Sequence, residues 1–152
     1  MLNDQDLQAN GNTAKSPQTT IRSAIILAAG MGVRLEERGK LTPKGLICLG
    51  EKSIVEESVL RLLSVGIERI VIVTGYLAEQ YEPLRDRFSE TVQLVHNPHF
   101  ADSGSMYSLC CARDCVDEAF LLLESDITFE HRALTTCLEH PSDNLVLLSG
   151  LS

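Results

Sequence analysis

Residues 25–45 read Ile-Ile-Leu-Ala-Ala-Gly-Met-Gly-Val-Arg-Leu-Glu-Glu-Arg-Gly-Lys-Leu-Thr-Pro-Lys-Gly, and this stretch decides which fold the sequence indicates. It begins with a short apolar run, which is typical of a strand covered on both faces in a parallel sheet. The run leads into Ala28-Ala29-Gly30, where small residues predict a loop that lets a ligand approach the bare backbone. Arg34 and Lys44 add positive charge, so we expect this loop to hold phosphate groups.

Outward from this loop, strand-like and helix-like segments alternate along the chain. Strands are predicted at about 23–28, 69–74, 92–95, 120–123 and 144–148, and helices at about 53–66, 78–88, 105–113 and 130–139. This alternation favours an α/β, Rossmann-like fold with a mainly parallel sheet flanked by helices. Ligands bind beyond the carboxyl ends of such strands, so the residues after each strand are expected to gather at one edge: 28–30, 75–76, 97–98 and Asp126.

The composition excludes several classes of protein. The chain has 152 residues, 44% of them hydrophobic, and a formal net charge of −8, which suits one globular domain and disfavours a general nucleic-acid binder. No apolar run approaches the roughly 20 residues that span a bilayer. The N-terminus lacks a secretory pattern, so we expect a cytoplasmic protein. Residues 1–20 are polar and predict a disordered leader, followed by the domain at 21–152.

Glycines after a strand are also typical of a plain turn, so the loop needs a more specific signal. Leu27-Ala28-Ala29-Gly30-Met31-Gly32-Val33-Arg34, followed by Pro43-Lys44, resembles the signature L-A-A-G-x-G-x-R…P-K of the sugar-phosphate nucleotidyltransferase family. The resemblance implies that Gly30, Gly32 and Arg34 wrap a triphosphate. It also implies that Lys44 contacts phosphate near the reacting centre.

Residues 97–109 narrow this resemblance to one branch of the family. Asn-Pro-His-Phe-Ala-Asp-Ser-Gly-Ser-Met-Tyr-Ser-Leu resembles the N-x-x-[YF]-A…[YF]-S-L stretch of choline-phosphate cytidylyltransferases. Within that branch, 103–107 and 121–126 are more similar to enzymes acting on 2-aminoethylphosphonate. The resemblance therefore implies CTP as one substrate and a small phosphonate or phosphate monoester as the other. The favoured acceptor is 2-aminoethylphosphonate, phosphocholine is the second candidate, and a sugar 1-phosphate is the third.

The resemblance also assigns the site residues. The implied nucleotide-binding residues are Leu27, Ala28, Ala29, Gly30, Met31, Gly32, Arg34, Lys44, Asn97, Gly104 and Ser105. Asp126 ends an apolar strand and is expected to bind Mg²⁺, which prefers one or two carboxylates together with substrate phosphates. A strand-end Asp that caps the following turn is the alternative for Asp126. Glu124 is either a partner of this site or a structural acid, and Ser105 is also a candidate helix cap.

The chain ends directly after a predicted strand, and the second metal-binding acid of the family has no counterpart here. We therefore expect the N-terminal, nucleotide-binding part of a longer domain, with the acceptor pocket beyond residue 152. A homodimer is left open. A second class also stays open, namely a non-catalytic nucleotide-binding module with a nucleotidyltransferase-like fold, or an inactive fragment, and we expect weak or no activity of the 152 residues by themselves. Arg34, Lys44 and Asp126 together favour the enzyme, because a purely structural relative has little use for all three.

Overall fold

The computed structural model describes residues 20–31, 41–142 and 144–148. Four strands and four α-helices alternate along them: β1 (Ser23–Ala28), α1 (Ile54–Ser64), β2 (Arg69–Thr74), α2 (Glu82–Arg87), β3 (Val92–His96), α3 (Ser105–Cys111), β4 (Phe120–Glu124) and α4 (His131–Glu139). Three short 3₁₀ turns lie between them: Lys44–Leu46, Ala78–Tyr81 and Arg113–Cys115. None of the helices in these ranges is long and apolar enough to cross a membrane.

The four strands form one parallel sheet in the order β3-β2-β1-β4. In register, Ala28 of β1 lies beside Thr74 of β2, and Leu27 lies beside Glu124 of β4. The chain moves outward from β1 to β3 and then returns to the other side of β1 to form β4. The strand order thus reverses between β1 and β4, and ligands in doubly wound folds bind at such a reversal, beyond the carboxyl ends of the strands.

Helices cover both faces of the sheet. All six residues of β1 are buried, as expected for a central strand. One face packs against α1, α2 and α4 through residues such as Ile26, Val59 and Leu134. The opposite face is smaller and packs Ile25 and Val73 against Ala112, directly after α3. The predicted α/β, Rossmann-like fold with a parallel sheet is confirmed.

Helix α1 has the boundaries that its sequence predicts. At its start, the Ser53 hydroxyl accepts a hydrogen bond of 3.2 Å from the Glu56 backbone N–H. The Glu56 side chain pairs with Arg87 of α2 and so ties two helices together. At its end, Gly66 has a φ of +88°, and the Ile67 N–H reaches the Leu62 carbonyl at 3.1 Å, which closes the helix with a glycine cap.

Two predicted helices are shorter in the structure. The 78–88 segment divides into the 3₁₀ turn Ala78–Tyr81 and helix α2, because Pro83 favours the first turn of a helix and not its interior. The 105–113 segment ends as α-helix at Cys111 and continues as the 3₁₀ turn Arg113–Cys115.

The predicted strand at 144–148 is wrong. These residues have no regular secondary structure, and Val146 and Leu148 are 78% and 82% exposed. An apolar segment forms a strand only where a neighbour accepts its backbone hydrogen bonds. In the described part of the chain, no strand pairs with this segment. The predicted leader lies outside the described residues, except for Thr20, which is exposed and irregular.

Candidate active site

The loops at the carboxyl ends of the strands meet at one edge, as the sequence predicts. The hydrogen-bond ladder continues past the strands there, from the Ser125 N–H to the Leu27 carbonyl at 3.0 Å and from the Asn97 N–H to the Thr74 carbonyl at 2.8 Å. A cleft of about 230 Å³ opens at this edge. Its walls are Leu27, Ala28, Ala29, Gly30, Lys44, Tyr81, Phe100, Ser103, Gly104, Ser105, Ser108, Glu124, Ser125 and Asp126.

Lys44 and Asp126 face each other across this cleft. The Lys44 Nζ lies 3.1 Å from the Asp126 Oδ2, and the two side chains are 30% and 42% exposed. Both remain accessible to a ligand. The pair joins the segment around Lys44 to the residues that follow β4, across 82 positions of sequence.

Gly45 makes this approach possible. A Cβ at position 45 would lie 2.5 Å from Val55 Cγ2 and 3.1 Å from the Ser125 carbonyl oxygen. The bare backbone at Gly45 thus packs between α1 and the residue before Asp126, which brings Lys44 to the carboxylate. Gly45 had no predicted role, although its place directly after Pro43-Lys44 is a signal for one.

A second polar contact spans the other side of the cleft. The Ser105 hydroxyl donates a hydrogen bond of 3.3 Å to the Glu124 Oε1. Gly104, not Ser105, is the N-cap of α3, so the expectation that Ser105 caps the helix is corrected. The Ser105 hydroxyl is instead turned to the carboxylate at the end of β4, where it lies on the wall of the cleft.

Asn97 lies behind the cleft and not on it. Its side chain is completely buried, and its Nδ2 donates to the Ser103 and Ser108 hydroxyls at 3.0 Å each. Its Oδ1 accepts the His99 N–H at 2.8 Å. Because these contacts use both amide groups, we revise the expected role from contact with the nucleotide to holding the 97–104 loop, which presents Ser103 to the cleft.

The structure places the other predicted nucleotide-binding residues as follows. On the cleft wall are Leu27, Ala28, Ala29, Gly30, Lys44, Gly104 and Ser105, together with the predicted metal ligand Asp126. Met31 is half-buried and is not part of the wall. Gly32 and Arg34 lie outside the described residues, so their assignments remain predictions.

Sequence reasoning missed Phe100 and Tyr81 on the cleft wall and the packing role of Gly75. A Cβ at position 75 would lie 2.5 Å from Phe100 Cβ and 2.7 Å from the Ala29 carbonyl oxygen. Gly75 therefore lets the loops after β1 and β3 close on each other. Its place directly after β2 was the available signal. No sequence pattern distinguishes Tyr81 from an ordinary core aromatic.

The charges on the cleft walls suit a divalent cation. The described walls carry one ammonium, Lys44, and two carboxylates, Glu124 and Asp126. Because carboxylates outnumber the ammonium on these walls, a negatively charged triphosphate is repelled unless a cation enters the cleft with it. The two carboxylates lie two residues apart at the end of one strand, a donor set that fits Mg²⁺ bound together with phosphates. The described residues contain no cluster of three or more protein ligands that would enclose a metal alone.

Known proteins are similar to this chain in sequence and in architecture. Residues 24–148 match the model of the MobA-like NTP transferase domain. Choline-phosphate cytidylyltransferase from Streptococcus pneumoniae is 34% identical over 108 residues, which cover 71% of this chain and 46% of that protein. 2-Aminoethylphosphonate cytidylyltransferase from Lancefieldella rimae is 34% identical over 122 residues, which cover 76% of this chain and 49% of that protein.

A solved structure is also similar to this chain. The CTP:phosphocholine cytidylyltransferase of Streptococcus pneumoniae superposes with a TM-score of 0.64 at 36% identity, over 70% of this chain and 46% of that one. The chain thus spans about half the length of the relatives that it matches. The family model, over residues 24–148, covers most of the described sheet and its flanking helices. The chain therefore belongs to the family of MobA-like NTP transferase domains.

Proposed function

We propose that the protein is a cytidylyltransferase that joins CTP and 2-aminoethylphosphonate to give CMP-2-aminoethylphosphonate and pyrophosphate. The observation that supports this most strongly is the Lys44–Asp126 pair, with 3.1 Å between Nζ and Oδ2, beside the loop of small residues after β1. It combines a cation for phosphate, a carboxylate for metal and bare backbone in one cleft. The two relatives compared above by sequence are both cytidylyltransferases by name.

The nucleotide is held by backbone and side-chain groups on opposite walls. Gly30 is exposed, and a Cβ there would meet nothing within 4 Å, so a ligand can approach its backbone closely. We assign the triphosphate to the Ala28–Gly30 loop and Lys44, together with Gly32 and Arg34. Gly104 and Ser105 then contact the base or the ribose.

Asp126 is the proposed ligand of Mg²⁺, and Glu124 lies on the same wall. When bound, the metal supplies positive charge that draws the triphosphate into the cleft and stabilises the charge that develops on phosphate oxygens. Lys44 already provides a cation beside Asp126. Its ammonium is free to turn from the carboxylate to a phosphate oxygen, because the pair is solvent-accessible and weakly held.

The reaction requires positioning and charge neutralisation and no general base. An anionic oxygen of the acceptor attacks the α-phosphorus of CTP and forms the new P–O bond. The bond from the α-phosphorus to the bridging oxygen breaks, and pyrophosphate leaves with the electron pair. Lys44 neutralises charge on the transferring group, and the walls of the cleft hold the two reactants in line.

The choice of acceptor follows from the similarity of residues 103–107 and 121–126 to the 2-aminoethylphosphonate enzymes. Phosphocholine is the second candidate, because one of the sequence relatives is named for it. A sugar 1-phosphate is the third. A cytoplasmic location and a homodimer remain predictions from the sequence.

The test measures pyrophosphate release by a purified full-length version of the protein with each of CTP, UTP, ATP and GTP, crossed with the three acceptors. We expect release with CTP and 2-aminoethylphosphonate that requires Mg²⁺ and stops when EDTA is added. Faster release with phosphocholine would keep the cytidylyl transfer and replace the acceptor. Preference for UTP with a sugar phosphate would contradict the cytidylyl assignment. Binding of CTP without release under any condition would identify a nucleotide-binding module.

A further inference from the structure

Glu124 is a carboxylate on the cleft wall that no side-chain cation of the described residues neutralises. Asp126, on the same wall, pairs with Lys44 at 3.1 Å. Within the described ranges, the one hydrogen-bond partner of Glu124 is the Ser105 hydroxyl, which donates to its Oε1 at 3.3 Å. The other carboxylate oxygen, Oε2, has no donor there. Glu124 is also exposed, so a ligand that enters the cleft can reach this oxygen.

A structural role explains Glu124 poorly. Its bond with Ser105 joins two exposed groups and is longer than an ordinary O–H···O hydrogen bond, so it contributes little to folding. The carboxylate also adds negative charge to a wall at which the proposed function requires a triphosphate to bind. A cationic group of a ligand would offset that charge, and the unpaired Oε2 is an acceptor for it.

The short distance between the two carboxylates limits which ligand brings this cation. Glu124 and Asp126 are two residues apart in the chain, so their Cα atoms lie at most about 7 Å from each other. Lys44 and Asp126 mark the place where the proposed reaction transfers the nucleotidyl group. A cation that meets Glu124 therefore belongs to a ligand that carries it a few bonds from a reacting oxygen. 2-Aminoethylphosphonate has this form, because two methylene groups separate its phosphonate from its ammonium.

We propose that Glu124 binds the ammonium group of 2-aminoethylphosphonate and thereby selects this acceptor. The inference rests on the proposed function, which supplies the acceptor and places its phosphonate beside Lys44 and Asp126. Ser105 occupies Oε1 and leaves Oε2 to accept a charge-assisted hydrogen bond from an ammonium N–H. The quaternary nitrogen of phosphocholine carries no N–H and cannot make this bond. Glu124 is thus a residue that determines acceptor specificity.

The experiment measures kcat/KM for pyrophosphate release with two acceptors at saturating CTP, in the full-length protein. The acceptors are 2-aminoethylphosphonate and ethylphosphonate, which has the same phosphonate and carbon chain but no amine. The ratio of the two values is compared between wild type and Glu124→Gln, so that any difference in intrinsic reactivity cancels. We expect wild type to prefer 2-aminoethylphosphonate. Glu124→Gln should lower that preference by about 10-fold or more, the usual effect of losing a hydrogen bond to a charged group.

Glu51→Gln is the matched control, because Glu51 is an exposed carboxylate on the wall of another cleft that shares no lining residue with the first. Its ratio should equal that of wild type. Equal loss of activity with both acceptors in Glu124→Gln would overturn the inference, since it would assign Glu124 to the metal or the nucleotide.

Two further results would also overturn it, namely an unchanged ratio in Glu124→Gln and equal use of the two acceptors by wild type. Each of these results leaves CTP turnover by wild type, and so the proposed nucleotidyl transfer, intact. If wild type releases no pyrophosphate from CTP with any acceptor, the proposed function falls, and this inference falls with it.

Discussion

Replacement of Lys44 by alanine is expected to lower pyrophosphate release from CTP by about 10²- to 10³-fold, the usual effect of removing a group that stabilises transition-state charge. The unfolding temperature should change little. The Lys44 and Asp126 side chains are partly exposed, at 30% and 42%, and solvent-accessible ion pairs contribute only about 0–1 kcal/mol to folding stability. Initial rates with CTP and acceptor, together with a thermal melt, measure the two effects separately.

Lys52→Ala is the matched control for this variant. Lys52 also pairs with a carboxylate, 4.0 Å from Glu57, but it lies on the wall of a second cleft and not on the wall that holds Lys44 and Asp126. Its rate should equal that of wild type. A Lys44→Ala protein that unfolds several degrees earlier, or that keeps its rate, would show that Lys44 is a structural residue.

Replacement of Gly75 by alanine is expected to destabilise the protein by about 1–3 kcal/mol, the usual cost of overpacking. The added methyl group would lie 2.7 Å from the Ala29 carbonyl oxygen, which is fixed backbone, and against Phe100. The loops after β1 and β3 must therefore move apart, and the cleft between them widens. We expect an unfolding temperature lower by about 3 to 10 °C. CTP affinity should fall as well.

Gly50→Ala tests whether any added methyl group has this effect. A Cβ at Gly50 meets nothing within 4 Å, so its unfolding temperature should match that of wild type. If Gly75→Ala were as stable as Gly50→Ala and bound CTP equally well, the close approach of the two loops would not determine the shape of the cleft.

The sheet was predictable because its strands carry their own signal. The apolar run of β1 and the β-branched residues of β2 indicate strands without reference to anything distant in the chain. The 144–148 segment has the same apolar character and no partner in the described residues, so local pattern alone misleads there. Strand formation requires a neighbour, and a single sequence does not show which neighbours are present.

The cleft was predictable only in part, because its residues come together through packing. Lys44 and Asp126 were expected to share a site from the family resemblance, since no spacing rule connects residues 82 positions apart. Asn97 follows a strand as a ligand contact would, but only the structure shows that the Ser103 and Ser108 hydroxyls take its amide protons. The tight contacts at Gly45 and Gly75 depend on the neighbours of a missing Cβ, which the sequence does not contain.

The most direct test of the proposed nucleotide site is amide chemical-shift mapping of the ¹⁵N-labelled protein titrated with CTP and Mg²⁺. We expect the largest shifts to cluster at residues 28–30, 44, 103–105 and 124–126, which line the cleft at the carboxyl edge of the sheet. Shifts that cluster instead at the second cleft, between Leu49–Arg61 and Ile127–Phe129, would contradict it, as would the absence of shifts at saturating CTP.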